Sequence, residues 1–318
     1  MPWVIGIDEA GYGPNLGPLV QAAVALHLPA DDPAGWNTLK GVVRRCGEKK
    51  DGRLLIDDSK KVYARGGFEA LELGVLTLAP ISWSVEELVR KAGLPACCAE
   101  LAGEAWYDPT ESLPITTPPD TLLTELTHPS ERATEQTIRV RIGPMKASIV
   151  PAPRFNHIVD ESNSKGTVLA LGLVDLLTET ASSFPRADGD PLVFLCDKQG
   201  GRNFYAAMIQ QAFPDGWVVI EKESADESRY RVEQLDRPVS VTFRPRADGD
   251  SVSVALASML CKYLREVCMR QFNRFWAAHV PGILPTAGYP VDAKRFYAEI
   301  RPAMTKLGLT DDQVWRKK

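Results

Sequence analysis

Histidine is scarce: four residues scattered along 318 support neither a histidine-based triad nor a zinc site built on imidazoles. The six cysteines include no C-x-x-C pair and no zinc-ligand spacing. Cys261 and Cys268, on one predicted helix, read instead as buried small hydrophobes. No charged-then-apolar leader opens the chain, so a reducing cytoplasm is the expected location. The longest apolar run, 168–177, contains Asp175 and is too short to span a bilayer, so no membrane role is expected. An excess of positive charge is also missing. The formal net charge of -4 argues against an indiscriminate polyanion binder, while leaving room for local basic patches. Neither a P-loop nor the calcium-loop pattern occurs anywhere.

What remains is ordinary globular material, 44% hydrophobic and 25% charged, enough for one large domain or two small ones. The chain is organised around Val4-Ile5-Gly6-Ile7-Asp8-Glu9-Ala10-Gly11-Tyr12-Gly13-Pro14. An apolar, β-branched run reads as a buried strand, and it stops at two adjacent carboxylates followed by glycines. Two carboxylates at the inner end of a strand lose hydration and repel each other, which calls for raised pKa values or a hard divalent cation between them. Consecutive strand side chains point to opposite faces, so Asp8 and Glu9 share an ion only if the backbone bends there, at Ala10-Gly11.

Residues 191–197 repeat the design, a fully apolar strand stopped by Asp197 before a polar Gly-Gly turn and a helix over 202–213. Parallel pairing of the two strands would bring Asp8 and Asp197 to one edge of the sheet. Residues 19–26 read as an antiparallel neighbour of the first strand. Further strands are expected over 137–142, 147–150, 217–221, 229–234 and 239–243. Helices are expected over 36–46, 68–78, 85–92, within 155–180, over 252–275, over 292–301 ending at Pro302, and from Thr310.

Asp58-Ser59-Lys60-Lys61 forms a polar turn suited either to a phosphate oxygen or to a helix capped by Ser59. Asp248 and Asp250 stand before the long predicted helix, where Asp250 could also cap it. Tyr289, between Gly288 and Pro290, could lie against a sugar or pack on the domain. Trp106 reads as an anchor for the irregular, proline-rich stretch 83–136, which is taken as an insertion. His157 reads as a satisfied structural residue, Arg186–Asp190 as a surface turn, and Arg316, Lys317 and Lys318 as a basic tail.

Taken in order, these stretches resemble ribonuclease HII, the type 2 ribonuclease H family. The match lies in I-D-E-A-G-Y-G-P at Ile7–Pro14, D-S-K-K-V at Asp58–Val62, the strand-ending Asp197, A-D-x(6)-A-x-A-S-x-L-x-K at Ala247–Lys262, and G-Y-P at Gly288–Pro290. The resemblance implies an α/β, ribonuclease H-like mixed central sheet flanked by helices, forming a single catalytic domain over 1–318. Residues 276–318 would be a C-terminal helical extension carrying the Gly-Tyr-Pro turn. It implies two-metal hydrolysis, with Mg²⁺ or Mn²⁺, of RNA in RNA/DNA hybrids or at ribonucleotides embedded in duplex DNA. Products would carry 5′-phosphate and 3′-hydroxyl ends, and a monomer is expected.

By the same resemblance the metal-binding, catalytic carboxylates are Asp8, Glu9, Asp197 and Asp248, with Asp250 and Asp226 as other candidates for the fourth. Gly11, Tyr12 and Gly13 would receive the 2′-hydroxyl, Ser59 and Lys60 would approach a phosphate, and Tyr289 would stack on a sugar. Tyr12 stands where the family has Arg or Lys. Two other readings are a non-catalytic module that binds hybrids and a dinucleotide enzyme. The second is weakened because Gly11-x-Gly13-x-x-x-Gly17 is one residue off the fingerprint and no helix signal follows it.

Overall fold

The computed structural model describes residues 1–122, 140–185 and 189–317. Strands β1 (Trp3–Ala10) and β2 (Leu19–His27) form an antiparallel pair. A small parallel pair follows, β3 (Val43–Arg44) with β4 (Leu54–Leu55). Strands β5 (Arg141–Val150), β6 (Leu192–Asp197), β7 (Trp217–Glu223), β8 (Ser228–Glu233) and β9 (Val239–Arg244) complete a seven-stranded sheet in the order β5-β2-β1-β6-β9-β8-β7. β6 is parallel to both β1 and β9, and the other pairings in this sheet are antiparallel. The architecture is therefore the expected mixed α/β sheet flanked by helices, with a helical C-terminal segment.

Helices cover both faces because β1 and β2 are apolar on both. The helix Val252–His279, buried along most of its length, lies across one face. Its approach is close enough that a Cβ on Gly6 would sit 2.1 Å from the Ser253 carbonyl carbon, so glycine is required where β1 meets the helix backbone. On the other face, Gln21 of β2 donates to the Leu169 carbonyl at 3.1 Å and fastens helix Lys165–Ser182 to the sheet. Trp106 is buried, as an anchor should be, and packs edge-on against Phe272. Cys261 and Cys268 are buried. His157 is exposed and paired with Glu161 on its own helix. Among the described residues no helix is long and apolar enough to cross a membrane.

Several boundaries differ from the sequence expectation, each for a local reason. The helix expected over 36–46 is only Trp36–Leu39, because the amides of Leu54 and Ile56 take the Val42 and Arg44 carbonyls for strand pairing. The helix expected over 68–78 begins earlier, at Ser59, and runs to Leu76 with a kink at Gly67. Strand β5 passes straight through Gly143-Pro144. It is an edge strand with a register shift opposite that dipeptide, where proline costs little; residues 137–139 of the first expected strand lie outside the described set.

The segment 155–180 is two helices, Ala152–Ser162 and Lys165–Ser182, separated by Asn163 at φ 52°, a left-handed conformation that asparagine tolerates. Ser164 holds the N-cap position of the second without a side-chain capping bond. The helix expected over 202–213 starts only at Ala206. Pro302 does not end its helix, which spans Pro290–Leu307 because Phe296, Ile300, Ala303 and Met304 continue one buried face across it. The expected insertion 83–136 and the surface turn Arg186–Asp190 lie partly outside the described residues, as does Lys318.

Candidate active site

The parallel register of β1 and β6 aligns Ile7 with Cys196, so Asp8 and Asp197 stand at adjacent strand ends. Both line one cleft with Glu9, Asp248, the loop Ala10–Pro14, Asp58, Ser59, Lys60, Ser258, Lys262, Arg265 and Tyr289. The cleft opens at the end of the sheet where the apolar runs stop, because carboxylates there cannot join the core.

The backbone does not bend between Asp8 and Glu9. Pairing with β2 continues through Ala10 opposite Val20, and the first left-handed residue is Gly11 at φ 89°. Asp8 therefore faces the long helix, where Ser258 bonds its carboxylate, while Glu9 lies on the opposite face of the pleat, the side of Gln21 and helix Lys165–Ser182. The cleft wraps around the strand end and receives both. Consistent with this divergence, among the described residues no three carboxylate, imidazole or thiol groups converge on one point as a closed metal cage.

Burial raises the pKa of Asp8 above the usual carboxylate range, and the charges of Asp197 and Asp248 raise it further against the lowering bonds from Ser258 and the Glu9 amide. Glu9 is raised by burial and by Asp8 and Asp197, with Lys60 opposing. Asp197 is raised by burial although the amides of Ala247, Arg246 and Lys198 favour its charged form; the first of these bonds is 3.1 Å. Asp248, in the short turn Ala247–Gly249, is raised by burial and by Asp58 and Asp197. Four carboxylates thus share a site with too little compensating cation.

Of the other acidic candidates, Asp250 is exposed and lies outside this cleft, and Ser251, not Asp250, occupies the N-cap of the long helix. Asp226 is exposed in the β7–β8 turn, beside Lys198. Asp58 caps helix Ser59–Leu76 by accepting from the Lys60 amide at 2.8 Å, so the cap is one residue earlier than Ser59. The buried Ser59 hydroxyl lies 3.0 Å from that of Ser258 and can donate to it when Ser258 donates to Asp8, while Lys60 is exposed at the rim. Tyr289 is 52% exposed and lines the cleft.

The Gly11–Pro14 loop is held by residues that motif reading did not single out. Arg316, read as part of a solvated tail, is 1% exposed, and its Nη2 donates to the carbonyls of Gly11 at 2.7 Å, Tyr12 at 3.2 Å and Pro14. Arg265 is buried on the loop's other side and donates to Leu16 and Ala287. A Cβ on Gly11 would lie 2.5 Å from Arg265 Nε, so both the left-handed backbone and the packing require glycine. No local signal distinguishes a buried arginine from an exposed one.

The donor set suits a hard divalent ion: oxygen ligands only, four carboxylates, and partial burial that penalises their charges. Fold and site together define a mixed α/β protein with an acidic cleft at the ends of two parallel strands. No family description and no curated protein matches the chain. Solved structures similar to it include ribonuclease H2 from Pyrococcus horikoshii OT3, at 13% identity and TM-score 0.44 over 98% of this chain and 92% of that one. The PCNA:RNase HII complex from Archaeoglobus fulgidus gives 14% and 0.42 over 99% and 94%. Aquifex aeolicus RNase H3 gives 10% and 0.44 over 98% and 71%. At these identities and scores the likeness carries nothing further, and the functional reading rests on the cleft.

Proposed function

We propose that this chain is a metal-dependent endoribonuclease of the ribonuclease H type, cutting RNA in RNA/DNA hybrids or at a ribonucleotide embedded in duplex DNA. The observation that carries the proposal is the meeting of Asp8 and Asp197 at adjacent parallel strand ends, in one cleft with Glu9, Asp248 and the open Gly11–Gly13 loop.

Asp8, Asp197, Asp248 and Glu9 would hold the Mg²⁺ or Mn²⁺ ions. Such ions, when bound, supply Lewis-acid charge at the phosphate and a water acidic enough to attack it. The chain's own residues do the rest. Ser258, bonded to Ser59, holds the Asp8 carboxylate. The Ala247 amide fixes Asp197. Exposed Gly13 leaves backbone accessible to a 2′-hydroxyl, the group that separates RNA from DNA. Tyr289 offers a face to a sugar, and Lys60 a positive charge to a phosphate.

Matched RNA/DNA hybrid, single-ribonucleotide duplex and all-DNA duplex, each assayed with Mg²⁺, Mn²⁺ or chelator, test this reading. Metal-dependent cleavage confined to the ribonucleotide-containing substrates is expected. Binding of hybrids without cleavage under all conditions would replace it with a non-catalytic module.

A further inference from the structure

The cations around the carboxylates are mostly committed. Lys262 pairs with Glu266 at 2.5 Å, Arg265 is buried on backbone carbonyls, and Lys198 donates to Asn203 and the Ser224 carbonyl, while exposed Lys60 stands near Glu9 and Asp197. Lys165 differs. Its Nζ lies 4.5 Å from the centre of the Tyr12 ring, and among the described residues it has no carboxylate partner. Arg202 is likewise without one; its Nη2 donates to the Gly166 carbonyl at 3.1 Å, which ties the guanidinium to the turn bearing Lys165.

The helix bearing Lys165 and the Tyr12 ring are each anchored to the sheet side of the cleft. Gln21, the residue paired with Glu9 across β1 and β2, donates to the Leu169 carbonyl one turn beyond Lys165. Tyr12 packs against the buried cluster that contains Leu19, Val150 and Phe155. Lys165 and Arg202 thus stand on the Glu9 face of the strand end, next to a residue that lines the cleft. A polyanion entering a cleft with four carboxylates needs positive charge that those carboxylates have not already neutralised. A lysine resting on an aromatic face is weakly held and can move to a phosphate oxygen, where its bond is charge-assisted.

We propose that Lys165, seated on Tyr12 and backed by Arg202, is a phosphodiester-binding cation that grips the nucleic-acid backbone on the Glu9 side of the cleft. The nature of the polyanion rests on the nuclease reading above. Lys165 is the binding residue, and Arg202 positions its turn.

The test measures equilibrium binding of a fluorescent RNA/DNA hybrid across a salt series, on an Asp8→Asn background that prevents turnover, with Lys165→Ala, Lys165→Arg and Lys165→Glu added singly. Lys165→Ala should weaken binding roughly threefold to tenfold at low salt and reduce the slope of log K against log salt by about one. The loss should be uniform across duplex sequences. Lys165→Arg should keep both, and Lys165→Glu should lose more than Lys165→Ala. Unchanged affinity and slope in Lys165→Ala and Lys165→Glu, with the parent binding normally and the Asp8 enzyme cleaving, overturns this inference alone. Failure of the Asp8 enzyme to bind or cleave any hybrid removes the nuclease reading and this inference with it.

Discussion

The guanidinium of Arg316 donates to the carbonyl of Gly11 at 2.7 Å, joining residues 305 apart in sequence. The tie is reciprocal at the backbone, where the Arg316 amide donates to the Asn15 carbonyl and Asn15 Nδ2 returns a bond to the Arg316 carbonyl. Among the described residues its charge is buried without a carboxylate, stacked on Phe155 and near Arg265, and burial lowers its pKa to about 9. Removing such a charge can leave stability unchanged or improve it, because its desolvation is costly. Its value is therefore expected in geometry. Arg316→Met should lower kcat/KM about tenfold to a hundredfold through a displaced glycine loop, while the urea midpoint moves little. A drop in activity matched by equal loss of folded protein would make Arg316 merely structural.

Gly6 fixes the spacing of the sheet and the long helix. Gly6→Ala places a methyl within 2.1 to 2.2 Å of Ser253 and Val254 backbone atoms, which no rotamer can relieve. A destabilisation of about 1–3 kcal/mol or more is expected in denaturant unfolding. An unchanged unfolding curve would show that the helix does not lie this close to β1.

Glu104 gives a pH dependence separate from the cleft. It is 8% exposed, accepts from Trp106 Nε1 at 2.7 Å, and burial raises its pKa to about 7. Between about 4.5 and about 7 the folded chain keeps a proton that the unfolded chain has lost. This contribution is complete below about 4.5 and disappears as pH rises through about 7. Glu104→Gln keeps an acceptor for Trp106 and carries no charge. It should match the parent near pH 4 and exceed it in thermal midpoint near pH 8.5. An equal gap at both pH values would contradict the assignment.

Ser258 ties helix Val252–His279 to the Asp8 carboxylate and to Ser59. Ser258→Ala should raise the metal concentration needed for half-maximal cleavage several-fold with little change in fold, since supporting bonds orient ligands. A metal requirement identical to that of the parent would dissociate the serine from the site.

The pairing of Asp8 with Asp197 was legible because a charge that stops an apolar run is a strong local signal, and two such strands place their ends together when parallel. Which face each carboxylate takes was legible only in part: the chain does turn within Ala10-Gly11, at Gly11, but beyond both carboxylates, so the pleat still separates Asp8 from Glu9. Arg316 was hidden because a terminal R-K-K reads as solvated until Phe155, Asn15 and the glycine loop are brought around it. The helix Ala152–Ser162 was hidden as well, since its polar sequence reads as a lead-in to the helix after Ser164, and the left-handed Asn163 separates the two. Tyr12 gave no sign of its partner, because Lys165 is distant in sequence and meets it only when helix Lys165–Ser182 docks on β2.

Cleavage of a duplex containing one ribonucleotide, followed with Mg²⁺ or Mn²⁺ for the parent, Asp8→Asn and Asp197→Asn, tests the central claim most directly. Each variant should fold like the parent and lose hydrolysis by roughly a hundredfold or more, about the scale of removing a principal electrostatic stabiliser. Cleavage by either variant at the parent's rate would show that the two strand-end carboxylates are not the site of reaction.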